Sequence, residues 1–216
     1  MDLQTFFESI AGQLVSVAVI VLLLVLIFIF GGKEKKMNVK ALTLSAILIA
    51  LAFVINNFFP HVQLPQGGSA TFFSMFFIFL IGYTFGPKVG IMAGMAFGLL
   101  DLLANPYAVY PLQILMDYPL AFGMLGLGGF FMNRKNGLIT GYLVSIFGRF
   151  CVSFLSGMIF FAQYAPEGYS GFTWSVVYNG TYIGLEGLVT VIILLIPAVK
   201  HAIDRLTKEY KNKSFQ

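Results

Sequence analysis

Asn105-Pro106-Tyr107-Ala108-Val109-Tyr110-Pro111-Leu112-Gln113-Ile114-Leu115-Met116-Asp117-Tyr118-Pro119-Leu120-Ala121-Phe122 places an aromatic, proline-kinked loop directly before an apolar helix that carries a carboxylate. Asp117 is the one charge in a run otherwise fit for lipid. A carboxylate at that depth costs about 2.5–3.5 kcal/mol on insertion scales, so it faces a cavity or a partner and by default marks a functional position. Tyr107, Tyr110 and Tyr118 flank it with flat faces and hydroxyls. Together they point to a pocket for a small, flat, cationic molecule that enters from one side of a membrane. The competing assignment is a plain hydrogen bond from Asp117 to a neighbouring helix.

The rest of the chain fits that environment. Of 216 residues, 58% are hydrophobic and 10% charged, with a mean hydropathy of +0.87. A soluble domain carries about 25% charged residues, so the composition specifies an all-α polytopic membrane protein. The 24 Phe and 23 Gly suit helices that pack closely through small residues while rings face lipid or a cavity. Cys151 is the single cysteine and sits in an apolar run, which excludes an intrachain disulfide and fits a small buried hydrophobe.

Residues 11–30 carry no charge and are long enough to span. Acidic Asp2 and Glu8 precede them and no small-residue cleavage site follows, so this is an extra helix rather than a signal peptide. A basic linker, Gly31-Gly32-Lys33-Glu34-Lys35-Lys36, closes a first unit of residues 1–36, and Met37 offers an alternative translation start. Six further spans are predicted at 41–59, 71–85, 89–103, 111–132, 138–162 and 175–199, making a membrane domain of residues 37–199. A mixed-charge helical tail, 200–216, follows. The connections at 56–70, 104–110 and 163–174 are the long ones, rich in Gly, Pro and aromatic residues.

Charge orients the spans. Lys33, Lys35, Lys36, Lys40, Lys88, Arg134, Lys135 and the basic residues of the tail fall on alternate connections, which are therefore cytoplasmic. The net charge of +4 thus records topology and implies no nucleic acid. Seven spans follow, with the N-terminus outside and the C-terminus in the cytoplasm. The long connections lie outside with Glu167, Asp101 and Asp117 nearby, a weakly negative mouth that favours a cation.

Four ionisable side chains lie at membrane depth: Asp101, Asp117, Arg149 and Glu186. At about 1.5 Å per residue, Arg149 and Glu186 reach similar depth near mid-membrane and are expected to face each other as a structural ion pair, a functional pair being the alternative. Asp117 lies shallower. Asn179, near the outer end of the last span, offers a donor and an acceptor. Ala46 and Ala50, with Ala41 and Ser45 offset, make a small-residue face suited to close helix approach, inside the chain or with a partner.

Absences narrow the function. The chain has no G-x-x-x-x-G-K-[ST] phosphate loop, no H-E-x-x-H and no paired Cys, and His61 and His201 fall on opposite sides of the membrane. No metal site, cofactor or Ser/His/Asp set is drawn from it. A polytopic enzyme with Asp117 as acid or base is a distant alternative, and a structural scaffold would not explain the aromatic, acidic outer loops.

Pro65-Gln66-Gly67-Gly68-Ser69, Tyr110-Pro111-Leu112-Gln113 with Asp117-Tyr118-Pro119-Leu120-Ala121-Phe122, Phe161-Ala162-Gln163-Tyr164-Ala165-Pro166-Glu167-Gly168 and Tyr178-Asn179-Gly180-Thr181-Tyr182 resemble, in order, the thiamine-specific substrate-binding (S) component of energy-coupling factor transporters. The resemblance covers about residues 37–199. It implies a six-helix bundle, to which the first helix is an addition. It also implies capture of extracellular thiamine without an ATPase of its own, in partnership with a transmembrane coupling protein and two cytoplasmic ATPases. By resemblance, Asp117 holds the aminopyrimidine, Tyr118, Tyr107 and Asn179 line the pocket, and Ala46 and Ala50 form the docking motif. Ser153 stands where well-known members place His, Phe161 where they have Trp, Trp174 where they have Tyr, and Leu64 replaces an aromatic residue before Pro-Gln-Gly-Gly. These departures leave a thiamine precursor or related pyrimidine vitamin as the alternative ligand.

Overall fold

The computed structural model describes residues 9–12, 14, 15, 18, 22, 25, 29, 39–59, 62–64, 68–107 and 109–213. The expected extra helix over 11–30 falls mostly outside the described residues, as do the basic linker, Met37, His61 and Pro65-Gln66-Gly67. The remainder is an all-helical membrane bundle. Its helices are α1 (Val39–Phe58), α2 (Ser74–Phe85), α3 (Pro87–Ala104), α4 (Pro111–Phe131), α5 (Gly137–Phe160), α6 (Gly171–Leu194) and α7 (Pro197–Lys213). Between α1 and α2, two short antiparallel strands, β1 (Val62–Gln63) and β2 (Ser69–Ala70), form a hairpin that the sequence did not announce.

Among the described residues, five helices, α1 and α3 to α6, are long and apolar enough to cross a membrane. Helix α2 has only 12 residues, about 18 Å of rise against a hydrocarbon thickness of about 30 Å. It is buried along its whole length, packed against α1, α3 and the second half of α4. Non-helical backbone at membrane depth is tolerated where protein covers it, so α2 can start late. The predicted span at 71–85 therefore begins at Ser74 instead. Its start is tight: Phe73 adopts a left-handed conformation at φ 69° and contributes no side-chain cap.

Glu186 supplies that cap from α6. Its carboxylate accepts hydrogen bonds from the Met75 backbone N–H at 2.8 Å, the Thr71 hydroxyl at 2.7 Å and the Ser74 hydroxyl at 3.2 Å. A helix N-terminus carries orphan amides and partial positive charge, so it answers a buried carboxylate at contact distance, with Arg149 acting on it from further off. The expected Arg149–Glu186 ion pair is therefore not a direct contact, although the two side chains still act on each other electrostatically. Arg149 instead holds its guanidinium 4.0 Å above the Phe122 ring, and no ion pair joins it to an acid among the described residues.

The second correction is at the end of the last span. Pro197 has no backbone donor and opens a new helix rather than prolonging the old one. Helix α6 therefore stops at Leu194, short of the predicted 199. Helix α7 turns back as a strongly amphipathic rod whose Val199, Ile203, Leu206 and Tyr210 pack on the main apolar cluster.

Helix α4 sits at the centre and is irregular. Pro119 removes one donor from its ladder, and the backbone widens to a π-helical turn over Met116–Leu120 before tightening to 3-10 geometry over Met124–Phe131. Helix α3 can pass close because it presents Gly98 to the Tyr118 carbonyl, where a Cβ would overlap it. The result fixes Asp117 and Tyr118 on a turn held from outside as well as from within.

Removing the α2 cap gives a direct test. Glu186→Ala leaves buried donors unanswered and is expected to cost about 2–3 kcal/mol, read as a lower unfolding midpoint in detergent. Glu186→Gln keeps one acceptor and should cost less. An alanine variant as stable as wild type would contradict the capping role.

Candidate functional site: an aromatic cavity with two carboxylates

Three turns of sequence build the site. Pro111 begins α4 with its fixed backbone angle, so Gln113 and Asp117 fall one turn apart on one face. Gln113, 1% exposed, donates to the Asp117 Oδ2 at 2.7 Å and to the Tyr107 carbonyl at 2.9 Å. Its own oxygen accepts from the backbone N–H of Val109 at 3.0 Å. One buried amide thus folds the preceding loop and aims the carboxylate. Asp117 is bonded along its own helix, with Ser156 of α5 beside it.

Tyr118 completes the loop from the other side. Its hydroxyl donates to the Asn105 carbonyl and accepts from the Tyr107 N–H, both at 2.8 Å. Phe161 lies parallel to the Tyr107 ring with centroids 6.1 Å apart. On α6, Trp174, Tyr178 and Tyr182 follow at helical spacing and touch ring to ring at 5.7 Å per step. The Tyr178 hydroxyl accepts the Gly68 N–H at 2.8 Å, which ties the β1–β2 hairpin to this ladder. Asn179 donates to the Ser175 carbonyl at 2.9 Å and accepts from the Tyr182 hydroxyl at 3.1 Å.

These groups enclose a cavity of about 430 Å³, within the range of small-molecule sites of about 300–1,000 Å³. Asp117, Tyr118, Tyr107, Asn179, Trp174, Ser153 and Phe161 all line it, as does Leu64. Tyr110 does not; its ring stacks on Phe160 at 5.4 Å and its hydroxyl accepts from Gln163 at 3.0 Å. Ala46 and Ala50 are exposed on the outer face of α1, whereas Ala41 and Ser45 turn inward. Glu186 is closed off by the α2 cap, but Arg149, expected as its partner, lines the cavity. The cavity lies at the bundle end whose long connections hold no Lys or Arg.

Several lining residues were missed. Gln113 lies four residues before Asp117, a spacing that signals a same-face partner. Tyr178 and Tyr182 were visible as a stripe with Trp174 at intervals of four, a pattern more often found in helix packing. Asp101, read from the sequence as part of a weakly negative mouth but not as a site residue, lines the cavity with Asn56 and Asn105.

Because three hydrogen bonds converge on the buried Gln113 side chain, Gln113→Leu is expected to destabilise the protein by about 2–3 kcal/mol. Thermal unfolding in detergent measures it. A change under about 0.5 kcal/mol, ordinary for a surface site, would contradict its organising role.

Comparison with known proteins adds independent support. The chain is 29% identical to the thiamine transporter ThiT of Bacillus subtilis (strain 168) over 172 residues, covering 73% of this chain and 86% of that one. It is 26% identical to ThiT of Lacticaseibacillus paracasei over 119 residues, 47% of this chain and 59% of that protein. A solved ThiT structure from Listeria monocytogenes superposes with a TM-score of 0.60 at 23% identity, covering 73% of this chain and 94% of the other, which establishes the shared fold. The family model described as "Thiamine transporter protein (Thia_YuaJ)" matches residues 42–205, and the chain belongs to that family.

Proposed function

We propose that this protein captures thiamine from outside the cell and is the substrate-specificity subunit of an ATP-driven importer, not an enzyme. The observation that carries this is the Asp117 carboxylate, held by Gln113 and open to an aromatic cavity of about 430 Å³. Thiamine joins an aminopyrimidine, whose edge alternates donor and acceptors, to a permanently cationic thiazolium. Asp117 accepts from the exocyclic amine, and the Asn179 amide N–H can turn to donate to a ring nitrogen. Tyr107 and Phe161, and the Trp174–Tyr178 ladder opposite, give the cationic ring π-faces worth about 0.5–2 kcal/mol each.

Ser153 takes the place of a larger, basic side chain in this proposal. It is buried at the cavity wall and serves as a neutral hydroxyl. The rest of the transport cycle is what the resemblance implies, ATPases elsewhere acting through a transmembrane coupling protein, and the lack of a phosphate loop in this sequence agrees with it. Ala46 and Ala50, exposed on α1, present a flat surface on which a partner helix can lie close. The cavity opens outward and α7 lies on the cytoplasmic side, with both orientations resting on the charge pattern.

Trp174 is the single Trp and lines the cavity. Its fluorescence should change on thiamine addition and saturate at one ligand per chain; a response only to a precursor would move the assignment to the alternative ligand. Asp117→Asn should weaken thiamine binding by about 1.5–3 kcal/mol as a charge-assisted bond is lost, and unaltered affinity would remove Asp117 from the site. Ala46→Trp and Ala50→Trp should leave thiamine binding intact while abolishing co-purification with the coupling protein. Retained co-purification would displace the docking surface from α1.

A further inference from the structure

We propose that Asp101 is a specificity-determining residue, the second carboxylate that gives the cavity its preference for a cationic over a neutral ligand. It rests on the thiamine assignment above. Asp101 lies one turn before the end of α3 and lines the same cavity as Asp117. Its Oδ1 accepts from Asn56 Nδ2 at 2.7 Å and Asn105 Nδ2 at 3.0 Å. Asn105 also donates to the Asn57 side-chain oxygen at 2.8 Å, so α1 and the end of α3 clamp this oxygen in place. Among the described residues, Oδ2 receives no hydrogen bond.

The charge inventory of the cavity gives this oxygen its meaning. Three charged side chains line the wall: Asp101, Asp117 and Arg149. Glu186 is not among them, because the first turn of α2 already satisfies its oxygens. Arg149 acts on both Asp101 and Asp117 and on Glu186 behind the wall, so the acids outnumber it and the cavity is net negative, the complement of a cation. Without Asp101 the wall itself would set one acid, Asp117, against Arg149, and its preference for a thiazolium over an uncharged ring of the same shape would fall. Asp101 therefore supplies the discriminating charge, and its Asn partners fix one of its oxygens. A purely structural Asp101, joining α1 to α3 through Asn56, would serve equally with either ligand.

The test compares thiamine with its neutral analogue in which thiophene replaces thiazolium, using Trp174 fluorescence or calorimetry on the full chain in detergent. Asp101→Asn should weaken thiamine at least about tenfold while changing affinity for the neutral analogue less than about twofold, so the ratio collapses. Asp101→Glu should keep most of the ratio. Asn56→Ala, which removes the clamp but not the charge, should preserve it too. Equal weakening of both ligands by Asp101→Asn, or no change in either, overturns the proposal. Asp101→Ser repeats the comparison should the asparagine variant not fold. Failure of the unmodified protein to bind thiamine would overturn the thiamine assignment, and the role of Asp101 with it.

Discussion

A charge carried into hydrocarbon must meet something fixed, and this fold is arranged around how its buried charges are met. Glu186 meets the first turn of α2. Arg149 lies over the Phe122 ring. Asp117 meets Gln113 on one oxygen and an open cavity beyond. The first carboxylate is enclosed by donors and holds helices together; the last lines the cavity, where the proposed ligand would meet it. That difference between two acids carried on membrane-spanning helices distinguishes a structural carboxylate from one that faces the cavity.

Helix packing serves the same end. The short α2 starts deep because Glu186 caps it, and the hairpin before it can then dip toward the cavity, where Gly68 reaches Tyr178. Helix α4 is widened at Pro119 and held there by the close pass of Gly98, so Asp117 and Tyr118 sit on a turn whose geometry neighbouring helices enforce. π-helical turns within α-helices are often associated with function, and here the turn spans both residues. The site is rigid where it orients the carboxylate and aromatic where it would enclose a flat cation.

Much of this was legible from the sequence because membrane insertion imposes strong patterns. The spans among the described residues, the long Gly/Pro/aromatic connections, the special place of Asp117 and the cavity-lining positions of Tyr107, Tyr118, Phe161, Trp174 and Asn179 followed from hydropathy, spacing and resemblance. What was hidden depended on partners distant in sequence. Depth alone suggested that Arg149 and Glu186 would pair, but depth cannot reveal that a helix N-terminus already occupies the carboxylate. The π turn depends on how α3 approaches Pro119, and the late start of α2 depends on a residue more than a hundred positions away. Gln113 and Tyr182 looked like ordinary helix residues until their side chains were placed.

The central claim is that the Asp117 carboxylate is the group that a positively charged, amine-bearing ligand meets inside this bundle. A structure of the protein solved with thiamine present tests it most directly. The account predicts the ligand in the aromatic cavity with its exocyclic amine about 2.7–3.2 Å from an Asp117 oxygen. Thiamine bound elsewhere, or bound in the cavity with its amine turned away while Asp117 seals against a neighbouring helix, would contradict it.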